Sequence, residues 1–451
     1  MNRSETPPGR VTGPHRRHLL AAGFGAAGLV AAGSAQGAMM RDVREFGVMP
    51  DAPIDQAPLL EAALREAARI GHALHLPAGR YRIAEARLPD GAMLTGSPAA
   101  VIEQIAQAPV LVARNIARLR LAGFALAGEN GRDVPLIALE DVVDCRIEGL
   151  VIDHAAATAI ELRGCGGLVA QCRISDARTA IFATDSTGLA VTGNILRDCT
   201  DNGILVWRAQ KGHDGTQVLA NRIERIGAAS GGSGEYGNGV NSFRADGVIV
   251  ADNVIRDCTF SAVRNNAGDD VQIIGNNCAA MGEVGLFTEF GFAGCIIANN
   301  IVDGAANGIV STNFNESGRL SVISGNIVRG TFRRPDPLTG QILYGHGIFA
   351  EADAAVTGNL VEDTEAGAIG LGYGPYLRDV SASGNVLRDC ACGFAVSVVE
   401  GAGRVQIAGN LISGAREGAI LGFRWTERAS DDLIDGAGDF PHIALSGNVS
   451  H

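Results

Sequence analysis

Short aliphatic runs alternate with polar positions along most of this chain, and a small or polar residue followed by Asn interrupts them at regular places. The pair occurs ten times, at Asn194, Asn221, Asn253, Asn276, Asn300, Asn326, Asn359, Asn385, Asn410 and Asn448. Successive asparagines lie 27, 32, 23, 24, 26, 33, 26, 25 and 38 residues apart. A unit of this size, repeated with occasional insertions, is the mark of a solenoid. Val and Ile flank each pair, as in Val191 to Leu196 and Val405 to Ile412. Gly and Asn tolerate the left-handed backbone of a tight corner, while β-branched residues suit pleated strands.

Nine positions after five of these asparagines comes a second mark, a small residue and then an aliphatic: Gly203-Ile204, Ala262-Val263, Gly285-Leu286, Ala368-Ile369, Ala419-Ile420. No convincing helical stripe lies between the marks, which argues against helical and leucine-rich repeats. The same register continues upstream through Cys172 and Gly149. The pattern predicts an all-β fold, a single-stranded parallel β-helix of about 12 coils over residues 90–451. Its hand is expected to be right, as for parallel crossovers in general. At the spacing of paired strands the coils would stack to roughly 55–60 Å. The ten asparagines are expected to line one internal corner as a ladder.

Two segments precede the repeats. Pro14 to Leu20 carries adjacent Arg16 and Arg17 ahead of a weakly apolar Ala/Gly stretch, which reads as a twin-arginine export signal over residues 1–38. That stretch is too short to span a bilayer. Export would place the mature protein in the periplasm or outside the cell, with the twin-arginine machinery as a partner and no stable membrane insertion. Residues 39–89 read as a cap: a helix from Gln56 to Ile70 with a stripe of Leu59, Leu60, Ala63, Leu64 and Ala67, then a strand, turn and strand from Ala73 to Ile83. A capping helix would cover the unpaired edge of the first coil.

Composition agrees: 61 Gly, 46% hydrophobic residues and 5% aromatic describe a chain that turns often around a narrow aliphatic core. The net charge of −12 argues against nucleic acid and anionic membrane as partners. Nine cysteines would invite disulfides in an exported protein. However, Cys199, Cys258 and Cys390 occupy the same place in coils that are not adjacent, so buried free thiols are expected. No spacing of Cys and His suggests a metal, and no motif suggests a cofactor.

Asp42 to Gly47, the helix that follows and the Leu76-Pro77 to Tyr81 segment resemble the N-terminal cap of pectate-lyase-like β-helix proteins. With the twin-arginine leader and the Asn-marked repeats, nearly the whole chain resembles a family of twin-arginine-translocated repetitive proteins of alphaproteobacteria. The resemblance implies polysaccharide chemistry, that of lyases, hydrolases and epimerases, but only by analogy of fold. The aspartate cluster and Arg base of pectate lyases are not recognisable in this sequence, nor is the Asp pair of polygalacturonases.

The register permits a candidate site. If the aliphatic of the second mark points inward, the residues one and three further on point outward and stack from coil to coil. One row then reads Leu205, Asn241, Arg264, Phe287, Val310 and Phe349, the other Trp207, Phe243, Asn266, Glu289, Thr312 and Glu351. Insertions at about 226–238 and 330–346 would rise as walls at one corner about four coils apart, adding Glu235, Tyr236, Arg333, Arg334, Asp336, Tyr344 and His346. Glu289 and Glu351, two coils and about 10 Å apart, are the candidate carboxylate pair of a hydrolase. In a lyase, Arg264 would neutralise a substrate carboxylate, and Tyr236, Tyr344 or His346 would move the proton. Trp207, Asn241, Phe243 and Asn266 would bind sugar. The alternatives are that both Glu residues are solvated charges on a strand face, and that the protein is a non-catalytic glycan-binding or structural scaffold.

The chain stops just after the Asn448 corner with no capping helix behind it. Either the segment from Arg424 to Phe440 folds over that end, or a second subunit covers it in a homo-oligomer.

Overall fold

The computed structural model describes residues 39–451 apart from 130, 233, 313–316, 336–341 and 343–344. The twin-arginine segment therefore lies outside the described residues. From Ala73 onward the chain winds as a parallel β-solenoid of about 13 turns, one more than the repeat count suggests. Each turn gives three short strands, and each strand pairs in parallel with its counterpart one coil away. Gly167–Ala170 pairs with Leu189–Thr192, Arg173–Ser175 with Ile195–Cys199, and Thr179–Thr184 with Asn202–His213. Val, Ile and Leu at alternate positions fill the interior, with Ile204, Val240, Leu286, Ile309 and Ile348 fully buried.

The asparagines hold one interior corner. Asn276 donates from its backbone N–H to Asn300 Oδ1 at 2.8 Å, from Nδ2 to the same oxygen at 3.0 Å, and from Nδ2 to the Val250 carbonyl at 2.9 Å. The same bonds run from Asn194 to Asn448 without a break. They satisfy corner amides that a strand ladder cannot reach. Each corner turns on the residue before the Asn, which is left-handed: φ is 66° at Gly193 and 57° at Asp252. Cys172 occupies the corner one coil earlier, its backbone N–H donating to Asn194 Oδ1 at 2.9 Å. All nine cysteines are buried and free, and burial pushes the Cys199 thiol up to about 12.

The N-terminal expectation needs correcting. The helix spans Ala57–Arg69 and buries Leu60, Ala63, Leu64 and Ala67, but Leu59 is exposed. Ala73–Leu76 and Gly79–Ile83 do not pair with each other as a hairpin. They pair in parallel with Ala92–Gly96 and Ala100–Gln104. The first coil thus begins near residue 73 rather than 90, because stacking on the next coil hydrogen-bonds an edge that a lone hairpin would leave open. Met40–Asp42 adds a further strand beside Ala73–Leu76.

At the other end, Gly418–Arg424 turns back into the antiparallel strand Glu427–Asp432. Leu433 is buried beneath it, and Ile434, Ala437 and Phe440 pack against the core. The Asp432 carboxylate accepts hydrogen bonds from the Ala419 and Ile420 amides at 2.6 and 3.0 Å. The segment from Arg424 to Phe440 therefore packs against the C-terminal end of the core, while Ile443–Ser446 and Val449–Ser450 pair with the preceding coil alone. Among the described residues no helix is long and apolar enough to cross a membrane.

Candidate functional site

One outward lane runs along the ladder that begins each second mark. Its first row aligns Glu161, Phe182, Leu205, Asn241, Arg264, Phe287, Val310 and Phe349 from coil to coil. Its second row aligns Arg163, Thr184, Trp207, Phe243, Asn266 and Glu289. Thr312 and Glu351 continue that row, since their amides bond to the Thr288 and Ser311 carbonyls. Period-two alternation places these side chains outward. The inward positions between them carry a second polar ladder, in which Ser242 Oγ donates to Asn265 Oδ1 at 3.1 Å and Asn265 Nδ2 to Thr288 Oγ1 at 3.0 Å.

The centre of the lane is a buried ion cluster. Arg264 Nε donates to Glu289 Oε1 at 2.6 Å, and its Nη1 lies 3.4 Å from Glu283 Oε2. Asn266 Nδ2 donates to the same Glu289 oxygen at 3.0 Å. The guanidinium lies 4.8 Å from the Phe287 ring centroid. Arg264, Glu283 and Glu289 are only 6%, 5% and 3% exposed. The reading of Glu289 and Glu351 as solvated charges is thus overturned, for Glu351 is fully buried as well. The lyase role of Arg264 also meets an obstacle: its guanidinium already faces two carboxylates. Buried charges persist only when paired in this way.

Both insertions reach this cluster. In the first, the Gly234 carbonyl accepts from Asn241 Nδ2 at 2.7 Å, and the Gly234 backbone lies against the Arg264 guanidinium. In the second, Arg334 Nη1 donates to the Gly282 carbonyl beside Glu283. Phe287, Val284, Val310 and Phe349 form an apolar patch separate from the main core. Toward the N-terminus the lane becomes aromatic: Trp207 stands edge-on between Phe182 and Phe243, with ring centroids 5.3 and 5.6 Å away.

Not every candidate joins the cluster. Tyr236 is half-buried, and burial, with Glu235 and Asp201 nearby, holds its hydroxyl above the ordinary value. Its charged neighbours Asp201 and Arg178 belong to earlier coils. His346 lies on the far side, with its ring 5.5 Å from Phe349 and Nδ1 3.2 Å from the Gly367 carbonyl. Burial lowers its pKa to about 4. Tyr344 and Asp336 lie outside the described residues. Glu283 and Phe182 escaped the sequence reading. Phe182 lies one coil below Trp207 in the same register, so extending the rows upstream would have found it. Glu283 stands seven residues after Asn276, a corner position outside both rows.

Comparison with known proteins bears on the fold. Residues 135–317 match the family model described as a right handed beta helix region. No curated protein matches the chain. Among solved structures, PfbA, a surface adhesin of Streptococcus pneumoniae, superposes with a TM-score of 0.52 at 14% identity, over 87% of this chain and 95% of that one. The catalytic unit of a thermostable GH87 alpha-1,3-glucanase from Streptomyces thermodiastaticus covers 93% of this chain and 70% of its own, at 13% identity and a TM-score of 0.47. The A-module of the Azotobacter vinelandii mannuronan C-5 epimerase AlgE6 covers 91% and 99%, at 15% identity and a TM-score of 0.45. At such identities the likeness extends to the fold alone, and the coils of residues 135–317 are those of a right-handed parallel β-helix.

Proposed function

We propose that this chain is an exported protein of the twin-arginine repetitive β-helix type that binds a polysaccharide along the outward lane, in the periplasm or at the cell surface. The observation that carries this reading is the lane itself. Half-buried Phe182, Trp207 and Phe243 lead into a polar cluster flanked by two loops. Aromatic faces beside fixed amide and carboxylate groups suit the alternating apolar and hydroxyl surfaces of sugars. A carbohydrate role is consistent with the fold likeness to proteins whose own names record an adhesin, a glucanase and an epimerase.

Binding without turnover is the better-supported form. Glu289 Oε1 already accepts two hydrogen bonds, and Glu351 is fully buried, so neither carboxyl is presented to a substrate as a glycosidase acid requires. The second reading, a hydrolase or lyase, keeps one supporting observation: both Glu residues fall in a single row two coils apart.

Mature protein incubated with a polysaccharide panel separates the two. Reducing ends and unsaturated uronates report turnover, and affinity electrophoresis reports binding. Retardation by at least one glycan, weakened at least about tenfold by Trp207→Ala and with no product, is expected. Product formation abolished by Glu289→Gln would establish the enzyme instead. No retardation and no product would remove the glycan reading.

A further inference from the structure

We infer that Trp425 and Tyr373 form a second sugar contact at the C-terminal end of the lane, so that one glycan chain is held at two places. This inference rests on the glycan-binding reading above and adds a second contact, and with it a length requirement on the ligand. Phe182, Trp207 and Phe243 supply the first contact. The chain has two tryptophans, and the other is Trp425.

The first observation is a breach of turn chemistry. Arg424 pairs with Glu427 across the antiparallel strands Gly418–Arg424 and Glu427–Asp432, which leaves Trp425 and Thr426 as a two-residue turn. Trp425 has a φ of 59° there. Glycine is the residue favoured at a left-handed first turn position, and a bulky side chain is strained in it. Most other described non-glycine residues with positive φ are Asp or Asn, which tolerate that backbone. The strained side chain is also left 48% exposed. Strain at a large aromatic that still meets water adds little burial to the fold, and strain of this kind collects at ligand contacts.

The second observation is how the ring is held. Trp425 stands edge-on to Tyr373, with ring centroids 5.1 Å apart at 77°. Its indole lies over Gly374, where a Cβ would come within 2.5 Å of two ring carbons. The Gly374 carbonyl in turn accepts from buried Ser397 Oγ at 2.6 Å. The seat is thus fixed from beneath, and the pair repeats the edge-on arrangement of Trp207 with its two phenylalanines. Aromatic faces stack on the apolar faces of sugar rings whatever charge the sugar carries.

The third observation is position. From Trp207 the outward row climbs through Phe243, Asn266, Glu289, Thr312 and Glu351 to Gly372, whose amide bonds to the Ala350 carbonyl at 2.9 Å. Tyr373 and Gly374 follow directly, so the second pair stands six coils above Trp207, roughly 29 Å along the lane. A glycan long enough to span that distance engages both contacts, and its second engagement is intramolecular.

The experiment runs the full mature chain in affinity gels containing dextran, a β-1,3-glucan, polygalacturonate or alginate, beside Trp207→Ala, Trp207→Phe and Trp425→Gly. Glycine suits the left-handed turn, so the urea midpoint of Trp425→Gly should be no lower than that of wild type, while its retardation weakens at least about tenfold. In Trp207→Phe, Trp425 is the one tryptophan remaining, and its emission should shift to the blue when a retarding polymer is added. Unchanged retardation of Trp425→Gly, or emission indifferent to the polymer, would overturn the second contact, and the glycan reading would stand on the weakening by Trp207→Ala. A midpoint that drops together with the retardation would mark the Trp425 ring as a structural cover and overturn the second contact as well. Failure of every polymer to retard wild type would overturn both.

Discussion

Asn276 illustrates how much a single residue contributes in this fold. Its Oδ1 accepts from the backbone and side chain of Asn253, and its own amide and Nδ2 donate onward, all away from water. Replacement by Ala strands several buried groups at about 1–3 kcal/mol each. Asn276→Ala should therefore lower stability by about 3 kcal/mol or more in urea unfolding, while Asn448→Ala, at the half-buried last rung, should cost less than half as much. The ladder was legible because spacing and residue type coincide at every corner. His346 was legible only as a wall residue, and its environment came from packing on Phe349 and Gly367. Its pKa of about 4 lies below the unfolded value, so the folded state resists protonation. The stabilising contribution is complete above the ordinary histidine range and is lost as pH falls toward 4. Unfolding midpoints of wild type should fall more steeply between about pH 6.5 and 4 than those of His346→Gln. Parallel pH profiles would remove this role.

At the scale of elements, the two loops are anchored alike. Seven residues after Asn194, in the coil before the first insertion, Asp201 accepts from Ser230 N at 2.8 Å and Ser230 Oγ at 2.7 Å. Seven residues after Asn300, in the coil before the second, Asn307 Oδ1 accepts from the Gly345 and His346 amides at 3.0 and 2.9 Å. Glu283, seven after Asn276, stands at the same place and pairs with Arg264 instead. This corner carries the site's supports, yet it follows no alternation, because it lies in the bend between two strands. Bonds to a buried carboxylate contribute about 1.5–3 kcal/mol each. Asp201→Ala should speed proteolysis within residues 227–237 by at least about tenfold while leaving the global unfolding midpoint nearly unchanged. Equal cleavage rates would mean that the loop is held by other contacts.

For the molecule as a whole, stability is set by coils that touch only their neighbours, so its ends are the points of exposure. The α-helix packs on one end, and the segment through Leu433 and Phe440 packs on the core at the other. Leu433→Asp should loosen the cover on the Gly418–Arg424 edge and increase concentration-dependent association relative to wild type in sedimentation velocity. By itself the sequence determined the repeat, the Asn corner and the register of the outward lane, since each follows from a local rule: left-handed tolerance at a corner, alternation along a strand, a recurring unit length broken only by insertions. Only the tertiary structure decided that residues 73–89 form the first coil, that Arg424 to Phe440 pack on the core at the C-terminal end, and that Arg264 is bound between Glu283 and Glu289. Those outcomes depend on which distant groups are brought together away from water, and strand period and residue spacing do not encode that.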